Sequence, residues 1–280
     1  MDIILTGIAR SGTTLTCSLL NRLPQCVALH EPMDPLSLAR LAYPAAFLDA
    51  IGLFFARQRA GLLARGVADS KARNGRVLDN PFGTVRNDEG LRLSMHEHGT
   101  FRTDKQLAAG FRLAIKHPAM FTATLAALRT RFPCFAIVRN PLSVLLSWQT
   151  IQAAVRDGRL PAAEAFDAEL RAALDAEPDR IERQVILLRR SFARYAALLP
   201  RDRVIRYEEI IASRGRALAA IDPAAASLDE RLEDHNTNSL YDASLVDGLS
   251  ERLIADESIY AGFYRASDIA EVRDRRPGSR

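Results

Sequence analysis

Apolar residues along this chain fall into two alternating patterns. Short unbroken runs, Ile3–Leu5, Val27–Leu29 and Phe135–Val138, have the length of strands buried on both faces. Arg112–Lys116 and the RVIRY segment at 203–207 read the same way. Between them the spacing turns helical: Thr13 to Leu23 closed by Pro24, about 36–66, Ala119 to Arg131, Leu142 to Gln152, and two segments within 162–198. The last third reads as helix and loop. Strands separated by helices predict an α/β fold, a single domain over 1–270 with a mostly parallel sheet flanked by helices, and a basic tail at 271–280. Residues 67–110 carry Gly, Asn and Arg with little periodicity and read as loop, so about 36–110 forms an insertion that shapes a ligand-binding surface.

Composition narrows the function classes. With 280 residues and 48% hydrophobic content the chain can bury a sizeable core. Its 38 basic and 34 acidic residues are spread along the chain, a mild bias toward anionic ligands without the clustered stripe of a nucleic-acid binder. Cys17, Cys26 and Cys134 form neither a disulfide framework nor a metal-ligand set. The first apolar run is too short for a signal-peptide core. The most apolar later stretch, 42–64, holds Pro44, Asp49 and two arginines and falls short of a membrane span. The expectation is a soluble, cytoplasmic protein with no nucleic-acid partner, no membrane span and no metal; assembly as a homodimer stays open.

In parallel sheets ligands bind at the carboxyl ends of the strands. Here those ends carry GIARSGTT (7–14), HEP (30–32), KHP (116–118), VRNP (138–141) and RYEE (206–209). The first has the Gly-x4-Gly spacing of a phosphate-binding loop, but Thr13 stands where a nucleotide-triphosphate site has lysine. Such a loop can still hold a phosphate through inward N–H groups and the positive end of the following helix. Arg10 adds a planar fork of donors, and Thr13 and Thr14 add hydroxyls. No apolar strand ends in an aspartate suited to magnesium, and Phe135–Val138 leads into Arg139 instead. This combination suggests a nucleotide without a γ-phosphate or a magnesium requirement.

GIARSGTT followed by VRNPLSVLLS resembles the two nucleotide-binding signatures of sulfotransferases, which use 3′-phosphoadenosine 5′-phosphosulfate (PAPS) and release adenosine 3′,5′-bisphosphate (PAP). The spacing of Arg139 and Ser147 (147 − 139 = 8) is similar to the family's 3′-phosphate pair. The KHPAMFTATLAALRTRFPCFAIVRNP stretch and RYEEI extend the resemblance to about half the chain, residues 1–35 and 112–211. It implies a P-loop NTPase-like sulfotransferase fold of bacterial type and a donor held by Arg10, Ser11, Gly12, Thr13, Thr14, Arg139, Ser147 and Tyr207. It also implies in-line transfer to an acceptor hydroxyl on a peptide tyrosine, a glycan or a small molecule, with Lys116 assisting at the bridging oxygen or acceptor.

Two residues compete as the base. Glu31 lies 31 − 10 = 21 residues after Arg10, similar to tyrosylprotein sulfotransferases. His117 lies 139 − 117 = 22 residues before Arg139, near the histidine of cytosolic sulfotransferases. Neighbours on a strand point to opposite faces, so Lys116 and His117 are not expected to share the site, and Glu31 is favoured. Trp148 is read as core with adenine stacking as the lesser alternative, and Arg252 as a further 3′-phosphate contact. The His96-x-His98 pair is read as loop residues near the acceptor. The competing classes are a P-loop kinase, which would need ATP and magnesium, a lipid or small-molecule sulfotransferase using His117, and a non-catalytic nucleotide binder.

Overall fold

The computed structural model describes residues 1–95, 97–236 and 241–275. In chain order the first half runs β1 (Asp2–Gly7), α1 (Thr13–Leu20), β2 (Cys26–His30), α2 (Pro35–Leu38) and α3 (Ala45–Arg65). The insertion follows as β3 (Val67–Ala72), β4 (Phe82–Arg86), β5 (Arg92–Ser94) and β6 (Glu97–Arg102). Then come β7 (Arg112–Lys116), α4 (Pro118–Ala123), α5 (Leu125–Leu128), β8 (Cys134–Val138) and α6 (Pro141–Gln149). The chain continues through α7 (Pro161–Glu164), α8 (Ala168–Ala176), α9 (Arg180–Leu198), β9 (Val204–Arg206) and α10 (Tyr207–Ala212). It closes with α11 (Ala243–Ile254) and α12 (Ala266–Asp274).

Five strands form one parallel sheet in the order β2-β7-β1-β8-β9. Their apolar runs are buried along almost their whole length because helices cover both faces. After β1 the chain crosses to β2, returns to β7, and only then builds β8 on the other side. β1 is therefore the topological switch point, the place where such sheets open a crevice for ligand.

The helical stretch anticipated over 36–66 is broken, with α2 and α3 separated around Pro44, since a proline disfavours helix at the residue before it. The helix anticipated from Ala119 to Arg131 divides at Thr124, whose hydroxyl donates to the Met120 carbonyl (2.9 Å) while Arg194 takes the Ala123 carbonyl. The larger difference is in 67–110, expected as loop: β3 and β6 form an antiparallel ribbon and β4 and β5 a hairpin. β4 and β6 are largely exposed and β3 buries only Ala68 and Ser70, so no alternation of apolar residues announces them. The inward positions of β3 include Ala68 and Ser70, and Ser70 is buried because its Oγ accepts the His30 N–H at 2.9 Å. At the far end α12 carries the chain to Asp274 with Val272 buried, so the described part of the tail is helical, and residues 276–280 lie outside the described residues.

Candidate active site

Strand register assembles the site. Leu5 pairs with Lys116 on one side and Phe135 on the other, His30 pairs with Lys116, Gly7 with Ile137, and Val138 with Arg206. The residues just past those pairs lie side by side: Glu31, then Lys116–His117, the 7–14 loop, Arg139 and Tyr207. They line one cavity of about 1140 Å³, above the roughly 300–1,000 Å³ typical of a single small-ligand pocket.

In the 7–14 loop two glycines are required by close approach. A Cβ on Gly7 would sit 2.3 Å from the Ile137 carbonyl oxygen, and one on Gly12, at φ +88°, 2.7 Å from the Tyr207 ring. Gly12 starts α1 without a side-chain cap and without an acidic residue in the first turn. The Gly12, Thr13 and Thr14 N–H groups take no acceptor among the described residues. They form a cluster of donors at the positive end of a helix, facing the cavity. Ser11 is different: it is fully buried, its N–H donates to Ile8, and its hydroxyl lies 2.6 Å from the Ile8 carbonyl and 2.7 Å from that of Ile137. Its polar groups lock the turn and do not face the cavity, unlike the cradle role read from the sequence.

Arg10 sits in the left-handed region (φ 71°), a backbone cost that aims its side chain across the loop. Nε donates to Ser147 Oγ (3.2 Å), Nη1 to Asn80 Oδ1 (3.2 Å), and the guanidinium stacks over Phe82. It therefore reaches the Arg139–Ser147 corner. Arg139 donates from Nε to Asn236 Oδ1 (2.7 Å), from Nη1 to the Arg10 carbonyl, and from Nη2 to the His235 carbonyl, while stacking on Tyr207. The Tyr207 hydroxyl joins this loop, donating to the Glu233 carbonyl and accepting the His235 N–H. Glu208 ties the loops together, accepting from the Asn140 N–H, Asn236 Nδ2 and the Tyr264 hydroxyl. Arg10, Arg92 and Arg139 all line the cavity, and none has a carboxylate within ion-pair distance among the described residues. Burial, with Arg92 and Arg139 adding, pushes Arg10 down to about 9, so it remains charged at neutral pH at a cost that a bound anion relieves.

The carboxylate beside Lys116 is Glu31, whose backbone is also left-handed (φ 44°) and whose N–H donates to the Lys116 carbonyl at 2.8 Å; Asp34, Asp79, Asp167 and Glu233 line other parts of the cavity. Its Oε1 meets Lys116 Nζ at 2.9 Å and His30 Nε2 at 3.4 Å, and its Oε2 meets Lys71 Nζ at 2.8 Å. Burial opposes its charge, but Lys116, His30 and Lys71 together hold the carboxyl well below the usual carboxylate range. Lys116 Nζ also reaches Thr14 Oγ1 at 3.4 Å, so one ammonium links Glu31 to the loop.

His117 shares this cavity with Lys116, contrary to the strand alternation. β7 ends at Lys116, and His117 is already the N-cap of α4, followed by Pro118 in the first turn, so the two-residue period no longer applies. Its Nε2 accepts the Met33 N–H at 3.1 Å, which places the ring proton on Nδ1. Burial pushes its pKa down to about 3. His117 is thus neutral, with its acceptor nitrogen already engaged.

Trp148 is buried with its indole N–H donating to the Ala9 carbonyl (2.9 Å), a core position that also borders the cavity. Arg252 forms a two-pronged ion pair with Glu182 (2.8 and 2.9 Å) and does not line the cavity. His98 lies on β6 opposite Lys71 and reaches the cavity; His96 lies outside the described residues. Lys71, Asn80, Phe82 and Arg92 were not singled out by the sequence. All come from the insertion, which roofs the loop arginine as well as the Glu31 end. Away from Glu31 the wall is mixed: Pro118 and Met120 of α4, Leu160, Ala163 of α7 and Leu187 of α9 line it beside Asp167, which is ion-paired with Arg190 and Arg194 of α9. Among the described residues there is no group of three or more His, Cys, Asp or Glu arranged to hold a metal, and no helix long and apolar enough to cross a membrane.

No protein-family model matches the sequence, and no curated protein matches it. Among solved structures the chain is similar to the crystal structure of a sulfotransferase from Alicyclobacillus acidocaldarius, with 14% sequence identity over 96% of this chain and 98% of that one and a TM-score of 0.45.

Proposed function

We propose that this chain is a sulfotransferase that moves the sulfuryl group of PAPS to an acceptor hydroxyl, with Glu31 as the base. The observation that carries this reading is one cavity joining unmatched positive charge to a carboxylate: Arg10, Arg139 and the open N–H groups of α1 at one end, Glu31 at the other, and Lys116 between them.

The donor's 5′-phosphosulfate would lie against Gly12, Thr13 and Thr14, and its 3′-phosphate against Arg139 and Ser147. The acceptor oxygen attacks sulfur as Glu31 takes its proton. The bond from sulfur to the bridging oxygen breaks, and its electron pair stays on the 5′-phosphate of PAP. Arg10 and the α1 N–H groups stabilise that leaving charge. Lys116 gives the site its timing. While it pairs with Glu31 the carboxylate is a poor proton acceptor; once the anionic donor draws Lys116 toward Thr14, Glu31 becomes more basic. His117 is disfavoured as base because the Met33 N–H already occupies its lone pair.

The apolar part of the cavity wall suits the body of a phenolic or aliphatic alcohol, a peptide tyrosine included. The test is transfer of labelled sulfuryl from PAPS, without added metal, across peptides, glycans and lipid extracts. Glu31→Gln should lower turnover by about 10²–10⁴-fold with donor binding retained. Near-normal turnover of that variant removes Glu31 from the base role.

A further inference from the structure

The insertion places an arginine in the donor half of the cavity for which the 7–14 loop and the 139–147 segment give no reason. Arg92, the first residue of β5, is sewn to the end of α6. Its N–H donates to the Thr150 carbonyl (3.0 Å), its carbonyl accepts the Gln152 N–H (3.1 Å), and its Nη2 donates to Thr150 Oγ1 (2.7 Å). Thr150 in turn donates its hydroxyl to the Ser147 carbonyl (3.0 Å), and Ser147 Oγ receives Arg10 Nε (3.2 Å). One helix end therefore gathers Arg10 and Arg92 at the same corner of the cavity, beside Arg139.

Two features of Arg92 call for a ligand. Its Nε is buried with no hydrogen-bond partner among the described residues, as are those of Arg112, Arg156 and Arg206, but of these four only Arg92 lines the cavity. Its charge has no carboxylate within ion-pair distance, whereas Lys71, Lys116, Arg190 and Arg194, which line the same cavity, are all paired with acids. Burial lowers its pKa, and Arg86 and Arg139 add to the effect. Three guanidinium groups at one corner exceed what a single 5′-anion at the α1 N-terminus can match.

We infer that Arg92 is a nucleotide-binding residue that contacts the 3′-phosphate of the donor together with Arg139 and Ser147, so that the β4–β5 hairpin reads the donor and not only the acceptor. The inference rests on the proposed donor. It gives the hairpin a defined role, because a nucleotide with a second phosphate binds both α6 and the insertion, while one with a 5′-phosphate alone leaves Arg92 unmatched. Discrimination against adenosine 5′-phosphosulfate would then reside partly in an element outside the two nucleotide-binding signatures.

The experiment is isothermal titration of the full chain with PAP and, separately, with adenosine 5′-monophosphate, for wild type, Arg92→Gln and Arg92→Lys. Gln keeps a donor for Thr150 and removes the charge; unfolding midpoints matched to wild type establish that the corner is intact. Arg92→Gln should weaken PAP by about tenfold or more while leaving the monophosphate within about twofold, and Arg92→Lys should recover part of the loss. PAP affinity unchanged in Arg92→Gln, or an equal loss for both nucleotides, overturns the inference and leaves the donor reading standing. Failure of wild type to bind PAP at all removes the donor reading, and this inference with it.

Discussion

Replacing His117 by Gln separates a structural histidine from a catalytic one, and the size of the effect follows from its surroundings. The ring is buried edge-on to Phe121, with centroids 5.2 Å apart, and accepts the Met33 N–H at 3.1 Å. Burial pushes its pKa down to about 3, with Glu31 opposing and Lys116 assisting. In the unfolded chain a histidine titrates near about 6.5. The folded value is the lower one, so the unfolded chain binds the proton first. Stability is therefore complete above about 6.5, falls as pH drops below it, and stops falling only near 3. From pH 7.5 to 5.5 the loss is about 1.4 kcal/mol, approaching about 5 kcal/mol at the low end of the range. A glutamine Oε1 can accept the Met33 N–H but does not titrate in this range. Urea unfolding at the two pH values should show wild type losing about 1.4 kcal/mol more than His117→Gln. Equal losses in both proteins would refute the buried-neutral assignment. A rate profile whose limb near 6.5 disappears in the variant would return His117 to the chemistry.

Two further substitutions probe the loop and the carboxylate. Gly12→Ala puts a Cβ 2.7 Å from the Tyr207 ring at a φ of +88°, so Tyr207 must shift, and with it the guanidinium of Arg139 that stacks on it. The expected result is a stability loss of roughly 1–3 kcal/mol in chemical unfolding, accompanied by weaker PAP binding. Lys71→Met removes one of the cations that hold Glu31 below the usual carboxylate range, so the acid limb of the kcat profile should move to higher pH, while an unshifted limb shows that Lys71 does not act through Glu31.

The central sheet was legible because its strands are buried on both faces, which leaves unbroken apolar runs such as Ile3–Leu5 and Phe135–Val138. Once those runs form one parallel sheet, the adjacency of Glu31, Lys116, the 7–14 loop and Arg139 follows from register alone. The insertion was illegible for the opposite reason. β4 and β6 are mostly exposed, so no apolar alternation marks them, and the contacts that matter, Arg92 to Thr150 and Lys71 to Glu31, join residues far apart in sequence. His117 escaped the alternation rule because the strand ends one residue before it. Ser11 fits a phosphate-loop pattern by spacing, yet its hydroxyl is held by the Ile8 carbonyl of its own turn and by the Ile137 carbonyl, which only the folded β1–β8 pair brings within reach.

The most direct measurement of the central claim is the calorimetric titration of the wild-type chain with PAP in the presence of a chelator, set against ATP with magnesium. The unmatched arginines, the loop without a lysine and the absence of an aspartate at the end of β8 together predict one-site binding of PAP that needs no metal and exceeds the binding of ATP. Binding of ATP with magnesium in the absence of any PAP binding would contradict the account and point to a kinase.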